Sequence, residues 1–260
     1  MILLLAPLFQ GEWAAHGETL ALASHWPSEG VPISRLVSHD SLLGDAIRRY
    51  ATHLGVTGND LRAAASAWSL DYLWALLPPT AAAASVLQHR FPMHADDVAL
   101  SLNDIGTPVR FHIRHEGHAM PGTPATTRYA PLLEEHLDPL FKAIGRQTRL
   151  AQKILWGNAA RYLEVILEQA LALTNNADHI AADRETLLQQ PTHPDGRPNP
   201  LYGRKRTAVH VEDGAASTIT LHRQCCLFYR VPGQDYCGAC PLAPAHRADG
   251  RYLGPTGQPD

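Results

Sequence analysis

The sequence predicts an α+β protein: a mainly helical body with antiparallel β-hairpins, followed by a small C-terminal module built on cysteines. Three observations predict it. Long stretches such as Asn59–Leu77 and Thr148–Leu173 repeat apolar residues at helical spacing. Two runs alternate apolar and polar residues about turn signals, as hairpins do. All four cysteines, Cys225, Cys226, Cys237 and Cys240, fall in the single run QCCLFYRVPGQDYCGACP.

In chain order, residues 1–58 read as loosely organised, with helical stretches at Glu18–Ala23 and Ser41–Leu54 separated by SHWPSEGVP. Asn59 or Asp60 can cap the next helix, whose apolar stripe is Leu61, Ala64, Ala65, Trp68, Tyr72 and Leu76. Pro78 and Pro79 are expected to end it, with a second helix at Thr80–Gln88. DVALSLND and PVRFHIR, joined at Asp104-Ile105-Gly106, form the first hairpin. After a loop at Met120–Thr127, helices are expected at Tyr129–Ile144, Thr148–Leu173 and Ala177–Gln189. The Pro/Gly-rich stretch Pro191–Pro200 is the best internal boundary, dividing a body at 1–190 from a hairpin plus cysteine module at 191–260. The second hairpin turns at Asp213-Gly214, and its outgoing strand runs into the cysteine doublet.

With 260 residues and 45% hydrophobic residues, the chain can bury a substantial core. A formal charge of -3 offers no basic field for nucleic acid. The apolar start MILLLAPLF lacks a basic n-region and is cut by Pro7, which argues against a signal peptide, and no stretch reaches the length of a membrane helix. Cysteines gathered in one segment suit a reducing compartment, so a cytoplasmic protein is expected.

The cysteine spacing is C-C-x10-C-x2-C. Clustered thiols point to metal rather than to disulfide staples. Cys237-Gly238-Ala239-Cys240 suits a zinc knuckle, but neighbouring side chains on extended backbone face opposite ways, so Cys225 and Cys226 do not readily meet on one tetrahedral ion. A two-iron, two-sulfide cluster relaxes that demand by offering two irons to four cysteinates. Spacing alone leaves open which cysteine binds which iron. A four-cysteinate zinc module serving as a binding surface is the alternative, and a redox dithiol at Cys237 and Cys240 is a third reading that lacks the strand-before, helix-after context.

The run from Arg223 to Cys240, with its doublet, ten-residue gap and following Tyr229, Arg230 and Pro232, resembles the cluster-binding segment of the FhuF-like ferric-siderophore reductases. NPLY at Asn199–Tyr202 and ILWGN at Ile154–Asn158 extend the likeness across about Asp60 to Cys240. The resemblance implies a 2Fe-2S protein that passes one electron to the Fe(III) of an imported siderophore, commonly of hydroxamate type. The expected partners are the ferric siderophore and an electron-donor protein or reductant, and peripheral association with the membrane stays open. Arg223, Tyr229 and Arg230 become candidates for the shell around the cluster, and Trp156 and Asn158 candidates for contact with substrate or module.

Other constellations weigh less. His112, His115 and His118 in FHIRHEGH cannot all face one way on a strand, so a solvated hairpin is the expectation. Between Arg197 and Arg230 six basic residues oppose Glu212 and Asp213, an excess that would favour a reduced, more negative cluster or dock an acidic donor. Gly157 in an apolar helix suggests close packing. No G-x-G-x-x-G, P-loop or G-x-S-x-G appears, so electrons are expected from a partner rather than from a built-in nucleotide or flavin site.

Overall fold

The computed structural model describes residues 1–212 and 215–246. The predicted turn at Asp213-Gly214 therefore lies outside the described residues. The N-terminal segment contains helix α1 (Ala14–Gly17), strands β1 (Leu20–Leu22) and β2 (Val31–Pro32), and helices α2 (Ile33–Ser38) and α3 (Asp40–His53). Where helix was expected at Glu18–Ala23, β1 pairs in parallel with a later strand, Leu20 opposite Phe111 and Leu22 opposite Ile113. So short a segment gains little from helix formation, and a waiting sheet edge offers its backbone better partners.

Helix α4 (Arg62–Ser85) runs unbroken through Pro78 and Pro79, against the expected break. The physical reason is local compensation. Pro79 has no N–H for the Ala75 carbonyl four residues back, and the Thr19 hydroxyl donates to that oxygen instead at 2.6 Å. Thr80 Oγ1 donates back to the Leu76 carbonyl at 2.7 Å. Almost every residue of α4 is buried, so tertiary packing outweighs the cost of the prolines.

Strands β3 (His89–Arg90), β4 (Val98–Leu102), β5 (Pro108–Ile113) and β6 (His118–Ala119) follow. The main sheet has the order β1-β5-β4-β2, and the predicted hairpin forms its centre with Val98 opposite Ile113 and Leu100 opposite Phe111. These four side chains are fully buried, and Phe111 meets Tyr72 of α4 edge to face at 4.9 Å. His112 turns the other way, hydrogen-bonded to Ser101 Oγ at 2.9 Å.

Helices α5 (Ala125–Leu132) and α6 (Asp138–Thr148) are joined by a π turn at Leu133–Leu137, just after Pro131. The extra residue in that turn directs His136 into the core, where it meets Tyr72 Oη and the Met93 carbonyl. Helix α7 (Gln152–Leu173) starts later than expected because Arg149 is left-handed, at φ 59°, and breaks the run. It packs along α4, with Trp74 and Tyr162 rings 5.0 Å apart. Helix α8 (Asp178–Leu188) is tied to α5 and α4 by a buried cluster in which Asp183 accepts from Arg128 and Ser85. Strands β7 (Arg206–Glu212) and β8 (Ala215–Leu221) form the second hairpin. One hydrophobic core extends from Ile2 to Leu201, and a separate small one gathers Cys225, Cys240 and Ala243.

Candidate iron-sulfur site

Strand β8 ends at Leu221, and His222 N–H donates to the Ala239 carbonyl at 2.9 Å, tying the strand's exit to the Cys237–Cys240 turn. The doublet follows immediately. Leu227 is left-handed at φ 61° and reverses the chain into a 3-10 turn at Phe228–Arg230. Pro232 and Gly233, the latter at φ 73°, turn it again, and stacked Tyr229 and Tyr236 rings 4.3 Å apart hold the two arms of the loop together. Cys240 N–H closes the second turn onto the Cys237 carbonyl at 2.9 Å. Cys225, Cys226 and Cys240 are buried and Cys237 is partly exposed, so the site is shallow on one side.

One close pair stands out among the four sulfurs, which leaves Cys226 and Cys237 as the other two. Cys240 Sγ lies 3.5 Å from Cys225 Sγ. The Cys237 thiol beside it, ahead of the Phe228 backbone and the Arg161 charge, lowers the Cys226 thiol to about 5. Burial pushes Cys225 up to about 12. Among the described residues no group of three or more His, Cys, Asp or Glu is placed to hold a single metal ion. Two pairs of sulfurs match the ligand demand of a two-iron cluster better than that of one tetrahedral zinc. Arg161 supplies a second sign of fit: its Nε is buried without a hydrogen-bond partner, beside sulfurs that become anionic acceptors when they bind metal. The residues present therefore suit a 2Fe-2S cluster.

The expected surroundings are placed as follows. Tyr229 packs against the small cysteine core. Arg230 reaches away from the cysteines and forms an ion pair at 3.0 Å with Asp60, near the start of α4. Arg223 donates to the Leu201 carbonyl, and burial lowers its pKa. NPLY acts as a clasp: the buried Asn199 amide donates to the Leu187 and Gln190 carbonyls, fixing the end of α8 and presenting Leu201 to Arg223. Much of the basic excess seen in the sequence is neutralised from elsewhere, since Arg197 pairs with Glu134 and Asp195, and Lys205 with Glu164. Asn158 is fully buried, its amide donating to Ser66 and Ser69 of α4 at 3.1 and 3.0 Å. Trp156 instead lines a cleft.

Sequence reasoning missed Arg161. Its signal was the register of α7: Gly157, Arg161, Glu164 and Glu168 recur at helical spacing on the face that meets His222 and Arg223. Gly157 is closely packed, and its nearest neighbour is Gln224 of the module. Burial, with the Arg161 charge beside it, lowers His222 to about 4.

A helical body that clamps a loop-built, four-cysteine module defines an iron-sulfur protein. Residues 66–215 match the family described as ferric iron reductase FhuF-like transporter, and residues 223–242 match the FhuF 2Fe-2S C-terminal domain; the chain belongs to this family and carries a 2Fe-2S domain. It is 25% identical over 179 residues to the ferric siderophore reductase of Escherichia coli K12, covering 68% of this chain and 64% of that one. The aerobactin synthetase IucA from a hypervirulent pathotype of Klebsiella pneumoniae shares the fold, with a TM-score of 0.52 and 18% identity over 67% of this chain and 38% of the synthetase. Among the described residues no helix is long and apolar enough to cross a membrane.

Proposed function

We propose that this protein is a ferric-siderophore reductase, delivering one electron to the Fe(III) of an imported hydroxamate-type chelate and releasing Fe(II) in the cytoplasm. When bound, the cluster supplies a one-electron store. The chain supplies the rest. Cys225, Cys226, Cys237 and Cys240 hold the cluster against α7, with the partly exposed Cys237 on the open side. Hydroxamate oxygens are hard donors that favour Fe(III), so reduction itself loosens the chelate and no acid, base or nucleophile is needed.

The observation that carries this reading is a four-cysteine module docked on α7, the helix that also lines a large cleft. The cleft has a volume of about 1070 Å³ and is lined by Trp156, Lys153, Arg90, His193 and Leu201 among others. That is the scale of a small-molecule site. Two of its lining residues connect to the cluster module: Trp156 is followed in α7 by Gly157, which packs on Gln224, and the Leu201 carbonyl accepts from Arg223. In this reading the body at 1–190 and the 193–201 loop hold the chelate together, and the segment from 191 onward carries the cluster. The first hairpin does not line this cleft. Electrons come from a donor protein, because the sequence has no nucleotide or flavin motif of its own.

The test is reoxidation of the anaerobically reduced protein by a panel of ferric chelates, followed by the recovery of its visible absorbance, in the intact protein and in four single Cys→Ser variants. Fast reoxidation by hydroxamate chelates, with failed cluster assembly in the variants, supports the reading. A colourless protein without acid-labile sulfide, or a cluster inert to every ferric chelate, overturns it.

A further inference from the structure

We propose that the four cysteines divide between the two irons as Cys225 with Cys240 and Cys226 with Cys237, and that Arg161 makes the iron of the second pair the one that takes the electron. The inference rests on the 2Fe-2S site alone and not on the identity of the substrate.

Two thiolates on one tetrahedral metal, each about 2.3 Å from it, stand roughly 3.8 Å apart. The 3.5 Å between Cys225 and Cys240 is that of a pair sharing one metal. With Cys225 and Cys240 paired, Cys226 and Cys237 remain for the other iron, so the sequence neighbours fall into different pairs. This arrangement removes the difficulty posed by the doublet: adjacent side chains facing opposite ways serve two different irons.

The two pairs sit in unlike surroundings. Cys225 and Cys240 lie in an apolar nest with Ala243, Leu227 and Tyr229, which Cys237 touches from its edge while Cys226 stays outside it, and Cys225 receives one backbone donor, Leu227 N–H at 3.3 Å. Cys226 has the Arg161 charge beside it, because Arg161 lies one turn beyond Gly157 on the face of α7 that meets His222, Arg223 and Gln224. Arg161 Nε remains buried and unpartnered, so it has a donor to spare for this pair. Reduction takes one electron from an external reductant and converts one Fe(III) to Fe(II), with all four cysteinates in place and one more negative charge on the site. That charge is best stabilised where a buried cation and the extra donor are, beside Cys226 and Cys237.

Proton NMR of the dithionite-reduced protein, with cysteine labelled at Cβ and no chelate present, reads the assignment directly. The β-protons of Cys226 and Cys237 are expected to show small hyperfine shifts that grow on warming, as ferrous ligands do, and those of Cys225 and Cys240 larger shifts that shrink. Any other grouping into twos overturns the ligand assignment, and the same grouping with the roles exchanged overturns the role of Arg161. Redox titration then measures Arg161→Gln against Arg161→Lys. The glutamine variant should lower the reduction equilibrium at least tenfold, about 59 mV for a one-electron couple, and the lysine variant should lower it less. An unchanged potential in Arg161→Gln overturns the proposal for Arg161. If the glutamine variant holds no cluster, the lysine variant and the wild-type spectrum decide it.

Discussion

Gly157 lies directly against Gln224: a Cβ added to Gly157 would come within 2.7 Å of Gln224 Cβ and 2.9 Å of its Cγ. This glycine is the seat on which the cysteine module rests, since Gln224 immediately precedes Cys225, the first sulfur. Two effects compete in Gly157→Ala. The helix gains about 1 kcal/mol from the better helix former, while the forced contact costs roughly 1–3 kcal/mol and falls on the module's docking. The body's thermal unfolding should stay within a few degrees of wild type. Cluster loss to an iron chelator should become several-fold faster. Equal rates of loss would show that the module does not depend on this contact.

Much of this site could be read from the sequence, and the reasons differ by residue. The four cysteines were legible because metal chemistry restricts residue type and spacing, and no other cysteine in the chain dilutes the signal. The hairpin of Val98–Leu102 and Pro108–Ile113 was legible because alternation is a local property. Arg161 and Gly157 were not, because their roles arise from a helix face meeting a segment over sixty residues away, and Arg161 looks like any other arginine in its helix. The unbroken α4 was misread for a similar reason: the group that compensates for Pro79 is Thr19, 56 residues distant from Ala75. Local rules judged the prolines correctly as costly and had no view of the hydroxyl that offsets them.

Asp183 is the electrostatic pin of the helical body. Both its oxygens accept from Arg128 Nη2, Ser85 Oγ donates to it at 2.7 Å, and Arg128 and Asp183 side chains are only 2% and 6% exposed. Arg128 also donates from Nε to the Ala84 carbonyl at 2.8 Å and from Nη1 to the Thr123 carbonyl. Removing one member strands the other as an unpaired buried charge. Asp183→Ala is therefore expected to lower the free energy of unfolding by about 3–5 kcal/mol, measured by urea denaturation. Arg230→Ala, which breaks an exposed pair with Asp60, should cost under about 1 kcal/mol. Similar costs for the two variants would contradict the assignment of the pin to the buried pair.

His136 makes the fold sensitive to acid. It is fully buried in the π turn between Tyr72 and the Met93 carbonyl, and burial lowers its pKa from 6.5 to about 4. The sign follows from proton counts. Between these two values the unfolded chain binds a proton at this position and the folded chain does not, so acid favours unfolding; the contribution is intact above pH 7 and declines as pH falls below 6.5. Between pH 7.5 and pH 5 this one group should remove about 2 kcal/mol of stability. His222, also lowered to about 4, acts in the same direction, so the wild-type slope alone does not isolate His136. His136→Asn does. It should be less stable at pH 7.5, having lost its contacts in the core, yet show a dependence between pH 7.5 and pH 5 that is flatter by about 2 kcal/mol. Urea denaturation of both proteins at the two pH values gives the difference, and parallel losses in wild type and variant would mean that His136 takes no part in acid unfolding.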